Sequence, residues 1–286
     1  MSNTTIERAA QSAELITRQS NTNFYYSFLF LPKPKRQAIE TVYAFCRLVD
    51  DIVDGDLKVD NAQTELAFWR VEIQKCFTGT PNTTLGKSLQ QVLKYCSIKE
   101  EYFQDLITGM EMDLNKCRYR NFAELERYCY HVASVIGLMC IEIFGYQDPS
   151  TKEYAINLGK ALQLVNIIRD LKEDAQRDRV YLPQDELKDF GYSETNLLSN
   201  IYSNEFIALM EYQSKRAESF FEKARTTLSL IDKKNMFAAE IMGQIYHRIL
   251  EKIISARYNV FDQRIRLNTW EKATVSISTW TKCRWS

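Results

Sequence analysis

Histidine is almost missing from this 286-residue chain, with only His131 and His247 present. Two isolated residues cannot build a histidine-rich metal centre, and each stands among helical residues as an ordinary core or surface histidine would. The seven cysteines, at positions 46, 76, 96, 117, 129, 140 and 283, are odd in number and form no CxxC pair. That usage excludes a disulfide framework and points to reduced thiols in a cytoplasmic protein. Net charge is also missing: 37 Lys and Arg balance 37 Asp and Glu, so no bulk field invites nucleic acid. No run of about 18 apolar residues occurs, so no membrane span is expected. The opening "MSNTTIERAAQSAELITRQS" has no continuous apolar stretch of the kind a secretory leader needs.

Only nine glycines and five prolines interrupt the chain, and a 3.6-residue periodicity dominates what remains. It predicts helices over 5–19, 34–54, 61–77, 85–97, 100–116, 121–144, 149–176, 203–231 and 233–260. Asp148 is the expected N-cap of the seventh, with Pro149 at its first helical position. Length alone permits two domains, but no linker, repeat or alternating strand pattern divides the chain. One all-α domain over 1–286 is the expectation, with an N-terminal helix in 1–19 and a C-terminal tail over 268–286. "GTPNTTLGKS" (79–88) resembles a phosphate loop only superficially, because Pro81 stands where its first glycine belongs.

Two stretches share a grammar that ordinary solvated helices do not. In "TVYAFCRLVDDIVDG" (41–55), Asp50 and Asp54 lie four apart on one helical face, with Arg47 a turn earlier and Asp51 adjacent. Apolar residues cover nearly everything else, and an unpaired carboxylate in such surroundings is costly. In "ALQLVNIIRDLKEDAQRDRVYLP" (161–183), Asn166, Asp170 and Asp174 step by four, flanked by Gln163 and Arg169. Either stretch alone could be a solvated acidic face; two in one helical chain argue for a common task.

Facing each other across a cavity, these carboxylates would repel unless cations intervened. Oxygen donors without a Cys or His cluster select a hard cation, with Mg²⁺ the default. Mg²⁺ shares its shell with phosphate oxygens, so the implied substrate is a diphosphate, with Arg47, Arg169 and Arg179 adding fixed positive charge. On this reading the carboxylates are offset by metal ions rather than by the protein alone. If the organic part is allylic, departure of diphosphate leaves a carbocation that survives only in a dry, π-lined cavity. Aromatics make up 12% of the chain, including "NFYYSF" (23–28), Tyr43, Tyr128, Tyr130 and Tyr246.

With "YAFCRLVDDIVD", "YCYHVASVIG" and "LGKALQLVNIIRDLKEDAQRDRVYLP" in place, the chain resembles the squalene and phytoene synthase family, which joins two prenyl diphosphates head to head. The likeness runs from about residue 20 to 267, and "GMEMDL" (109–114) is most similar to bacterial presqualene diphosphate synthases. It implies a single isoprenoid-synthase-type helical bundle around a central cavity, using two or three Mg²⁺ ions. By resemblance, Asp50, Asp51, Asp54, Asp170 and Asp174 bind Mg²⁺-diphosphate, with Asn166 and Asp113 as further metal-site positions. Arg47 contacts diphosphate, and Gln163, Asn166 and Arg169 line the pocket. Tyr43, Tyr128, Arg179 and Tyr246 match positions tied to diphosphate release or cation steering. Val132, Ala133 and Gly137 match small residues that let the prenyl chain pass. "NTNFYY" departs from the family's Ser-rich start, leaving Asn23 beside Phe24 as the substrate contact, and Ser134 replaces a glycine.

The resulting expectation is a prenyltransferase of the farnesyl-diphosphate farnesyltransferase type, making presqualene diphosphate for squalene and hopanoid synthesis. Squalene, dehydrosqualene or phytoene is the alternative product, with NADPH needed only for squalene. A non-catalytic scaffold relative is the alternative of another class, and it would not keep both aspartate motifs. No nucleic-acid partner is expected. The tail "WEKATVSISTWTKCRWS" holds three tryptophans and offers a peripheral contact with the inner face of a membrane or with downstream enzymes.

Overall fold

The computed structural model describes residues 23–285 except Asp56 and Lys116, with side chains from Tyr26 to Arg284. The helix expected over 5–19 lies outside the described residues, as do the side chains of Asn23 and Phe24. In chain order the helices are α1 (Asn23–Phe28), α2 (Lys33–Asp54), α3 (Val59–Thr78), α4 (Thr84–Leu93), α5 (Glu100–Asn115) and α6 (Phe122–Cys129). A π-helical turn (Tyr130–Ser134) follows, then α7 (Val135–Phe144), α8 (Ser150–Arg169), α9 (Leu171–Gln176), α10 (Gln184–Asp189) and α11 (Glu194–Leu198). The chain closes with α12 (Asn204–Thr227), α13 (Phe237–Ser255) and α14 (Thr269–Trp285). Among the described residues the only strand-like pairing is an isolated bridge between Arg118 and Val180. The expected all-α domain is what is observed.

Helix α8 runs through the middle of the bundle. It packs along α12 and also touches the π turn, α7 and α13, while α2 packs on α4, α5 and α7. Apolar residues at helical spacing create this arrangement: Ile39, Val42, Phe45 and Val49 on α2 and Leu164, Val165, Ile167 and Ile168 on α8 are all buried. Helix α8 starts one residue later than expected, with Pro149 rather than Asp148 as its N-cap, and Asp148 accepts a hydrogen bond from the Ser150 amide at 2.9 Å. Asp232, fully buried, accepts from the Gln147 and Asp148 amides and from Thr151. That bonding fixes the turn between α12 and α13, so the helix expected to begin at 233 begins at Phe237.

Two departures from the expected helices bear on the site. The helix expected over 121–144 contains the π turn, held between two glycines. A Cβ on Gly159 of α8 would sit 2.6 Å from Ser134 Cα, and one on Gly109 of α5 would sit 2.7 Å from Val132 Cγ1. The helix expected over 149–176 breaks at Asp170, whose ψ of 15° leaves the helical range. Phe122–Phe144 is apolar enough to span a bilayer by composition, but 56% of its most apolar window is buried inside the protein. The phosphate-loop look-alike is a helix cap: Thr83 accepts from the Gly86 amide and donates its own amide to buried Glu72.

Candidate active site

A cavity of about 1040 Å³ opens between α2, α5, the π turn, α7, α8 and α13. Its interior is walled by apolar residues such as Leu106, Met110, Ile136, Ile141 and Leu158, and its mouth by Asp50, Asp54, Asp113, Asp170 and Asp174. Both acidic stretches therefore reach the same space. Asp51 does not: one position round the helix from Asp50, it lies 57% exposed and pairs with Arg47 at 2.7 Å. Tyr43, Arg47, Tyr128, Val132, Ala133, Gly137, Gln163, Asn166, Arg169, Arg179 and Tyr246 all line the cavity. Ser134 does not, because its hydroxyl donates to the Ile156 carbonyl of α8 at 2.8 Å.

Arginines pair with most of the carboxylates and so share the task expected chiefly of metal ions. Arg47 holds Asp50 and Asp51 at 2.7 Å each. Asp54 receives Arg179 at 2.7 Å and Arg177 at 2.8 Å. Asp170 receives Arg169 and Arg264, each through two nitrogens. Burial alone would raise the carboxyls of Asp54 and Asp170, but the guanidiniums override it and hold both below the usual range.

The loop carrying Arg177 and Arg179 is itself anchored. Asp178 between them takes a left-handed φ of 56°. Arg118 bonds its carboxylate at 2.6 Å and also reaches its carbonyl, while the Val180 amide donates to Cys117.

Asp174 has no such partner. Burial, then the neighbouring Asp170 charge, pushes its carboxyl up to about 8. Asp50 is 42% accessible, but to a protein-walled cavity, and burial raises it to about 6. Asp113 also rises to about 6 through burial, although both its oxygens accept hydrogen bonds at 2.8 Å, from Tyr128 and Tyr181. Those two rings stack at 5.1 Å, with Tyr119 beside them. The aromatic wall behind the acidic mouth is therefore pinned by a carboxylate.

The donor set suits a hard cation. Asn166 Oδ1 is buried without a hydrogen-bond partner, and Asp174 is a half-buried carboxylate that Arg179 and Arg177 influence only at a distance, without pairing to it. Among the described residues no three His, Cys, Asp or Glu side chains converge closely enough to enclose an ion. A bound cation must therefore complete its shell with water and phosphate oxygens, which is the habit of Mg²⁺.

Sequence reasoning missed Tyr181, Arg177 and Arg264. Tyr181 and Arg177 sit inside the quoted second stretch and could have been taken from it, Arg177 as the near twin of Arg179. Arg264 lies in an irregular segment with no periodicity to place it.

Residues 17–271 match the family model described as squalene/phytoene synthase. The chain is 35% identical to a phytoene synthase of Arthrospira platensis over 90% of its own length and 87% of that protein's. It is 34% identical to a 15-cis-phytoene synthase of Synechococcus elongatus, covering 93% and 91%. A crystal structure of a dehydrosqualene synthase in complex with ligand superposes with a TM-score of 0.88 at 28% identity over 99% of both chains. The squalene synthase HpnC of Alicyclobacillus acidocaldarius gives 0.80 at 26% identity, covering 90% and 97%.

Proposed function

The chain belongs to the squalene/phytoene synthase family and is a prenyltransferase, and from that premise we propose that it condenses two allylic prenyl diphosphates head to head into a phytoene-type hydrocarbon. The observation that carries this reading is one cavity that joins an acidic, arginine-rich mouth to an apolar interior. The phytoene synthases at 34–35% identity favour the carotenoid product. Condensation of two farnesyl diphosphates that stops at presqualene diphosphate, or goes on to squalene with NADPH, is the second reading, favoured by the likeness to a squalene synthase. A non-catalytic scaffold would have no use for the two carboxylate rows.

The chemistry follows from the residues. Arg47, Arg169 and Arg179 supply guanidiniums to the substrate's phosphate oxygens. Mg²⁺, held by Asp50, Asp54, Asn166, Asp170 and Asp174, would add Lewis-acid stabilisation of the departing diphosphate. The C1–O bond breaks with both electrons going to diphosphate. Buried Tyr128 and Tyr246 present π faces to the allylic cation, and the apolar walls exclude water that would quench it. The C2–C3 double bond of the second substrate attacks that cation, and loss of a proton closes a cyclopropane. Reopening that ring with loss of the second diphosphate and a further proton gives the hydrocarbon. Asn23 and Phe24 are proposed substrate contacts by family position alone, and Asp113 serves as the anchor of the tyrosine wall.

Incubation with geranylgeranyl or farnesyl diphosphate and Mg²⁺, with and without NADPH, tests the reading by product mass. Geranylgeranyl diphosphate should yield phytoene without reductant, and Asp54→Ala should lower turnover at least about 100-fold. Accumulation of presqualene diphosphate from farnesyl diphosphate would favour the second reading, and unchanged turnover in Asp54→Ala would end the catalytic assignment. The free cysteines support a cytoplasmic site of action. Exposed apolar residues on α14 support peripheral contact with a membrane, into which an insoluble product can pass.

A further inference from the structure

Between α13 and α14 the chain runs without regular secondary structure, yet this segment closes one side of the cavity mouth. Its start is pinned by Phe261, buried against Phe206 with ring centroids 4.7 Å apart, and by Lys172 Nζ donating to the Phe261 carbonyl at 2.6 Å. Its end is pinned by reciprocal bonds between Asn268 and Glu271, at 2.7 and 2.9 Å, that cap α14. Between these anchors Arg264, Ile265, Arg266 and Leu267 line the cavity.

Arg264 lays its guanidinium along Asp170, Nε to Oδ1 at 2.7 Å and Nη2 to Oδ2 at 2.8 Å. Arg169 already bonds the same two oxygens from the other side. Asp170 is one of the carboxylates that would ligate a cation, and both its oxygens accept from two arginines. Arg169 neighbours Asp170 in sequence and is only 11% exposed, so it has little freedom to leave. Arg264 is 35% exposed and belongs to an irregular segment in which Ile265 and Leu267 are buried, so its guanidinium, rather than the backbone, is the part free to move.

Resting on the functional reading above, we propose that Arg264 is an exchangeable latch: it occupies Asp170 in the ligand-free protein and transfers its guanidinium to the substrate's diphosphate when the metal-loaded substrate arrives. A guanidinium suits either partner, because carboxylate and phosphate both accept its paired donors. The exchange couples metal and diphosphate entry. A cation alone displaces Arg264 toward Glu173, whose half-exposed carboxylate lies 3.8 Å from its Nε and offers only a weak, single contact, whereas a cation arriving with diphosphate gives that arginine an anion that takes its paired donors.

The coupling makes the two ligands respond to one substitution with opposite signs. Calorimetric titration of the full chain with Mg²⁺ alone, and with inorganic pyrophosphate in excess Mg²⁺, reads both affinities. Arg264→Gln should bind Mg²⁺ alone about fivefold more tightly, since Asp170 is released, and Mg²⁺-pyrophosphate about tenfold more weakly. Arg264→Lys should fall between, having the charge without the paired donors. A purely structural role would weaken both affinities together, and that outcome, or no change in either, overturns the latch while leaving the site intact. Wild-type protein that took up no Mg²⁺-pyrophosphate at all would overturn the functional reading itself, and the latch with it.

Discussion

At the scale of single residues, Asp174 shows how the site stores its requirement for a counter-ion. Every other carboxylate at the mouth has a guanidinium or a hydroxyl against it, while Asp174 has burial and the charge of Asp170, which together push it up to about 8. In the unfolded chain the same carboxyl would titrate near 3.8. Between these values the native state holds a proton that the unfolded state has lost, so stability falls as pH rises through the window. Asp50 and Asp113, raised to about 6, steepen the fall in its lower part. Thermal melts of ligand-free protein at constant ionic strength should therefore decline from about pH 5 to about pH 8.5. Asp174→Asn should flatten the upper part of that decline, because the amide keeps the volume and removes the titration. A wild-type melting temperature that rose over this interval would contradict the assignment of Asp174 as an uncompensated carboxylate.

At the scale of elements, the long helices were legible because their signal is simple. Apolar residues at i, i+3 and i+4 with Pro34 and Pro149 near their starts place both ends of α2, and the start of α8, within one residue of where they lie. The π turn was not legible: adding one residue per turn over Tyr130–Ser134 leaves a run apolar on most sides, and periodicity cannot register the slip. The break at Asp170 was equally silent: it coincides with the grip of two arginines on that side chain, one of them 94 positions away. The π turn is held by contact rather than by propensity, so Gly159→Ala is a direct probe of it. The added Cβ would press on the backbone at Ala133 and Ser134, between 2.6 and 2.9 Å away, and no flexible side chain can yield there. Such overpacking should cost about 1–3 kcal/mol, read as a melting temperature lowered by several degrees. An unchanged melting temperature would mean that α8 and the π turn can separate freely.

At the scale of the whole molecule, the candidate site was legible to the extent that its carboxylates fall in two local stretches, and illegible where it depends on chain returning from elsewhere. The tail expected over 268–286 proves to be a packed helix. Trp280 of α14 stacks on Phe30 at 5.1 Å, and Ser276 and Cys283 are buried, so part of its aromatic content is structural. Trp270 and Ile277, seven residues apart and hence on one face, remain 83% and 55% exposed. Leu230 and Ile231, before α13, are 84% and 58% exposed, with Lys233 and Lys234 following them. The chain has no net charge, so attraction to an anionic bilayer must come from such local groups and is screened by salt. Trp270 and Leu230 do not line the cavity, which lets membrane contact be tested separately from chemistry. Co-sedimentation with vesicles containing anionic lipid should fall at least about fivefold in the Trp270→Glu, Leu230→Glu double variant. Its turnover in detergent and its melting temperature should stay at wild-type values. Equal sedimentation of the two proteins at low salt would show that these residues do not meet a bilayer, and that the hydrocarbon leaves by another route.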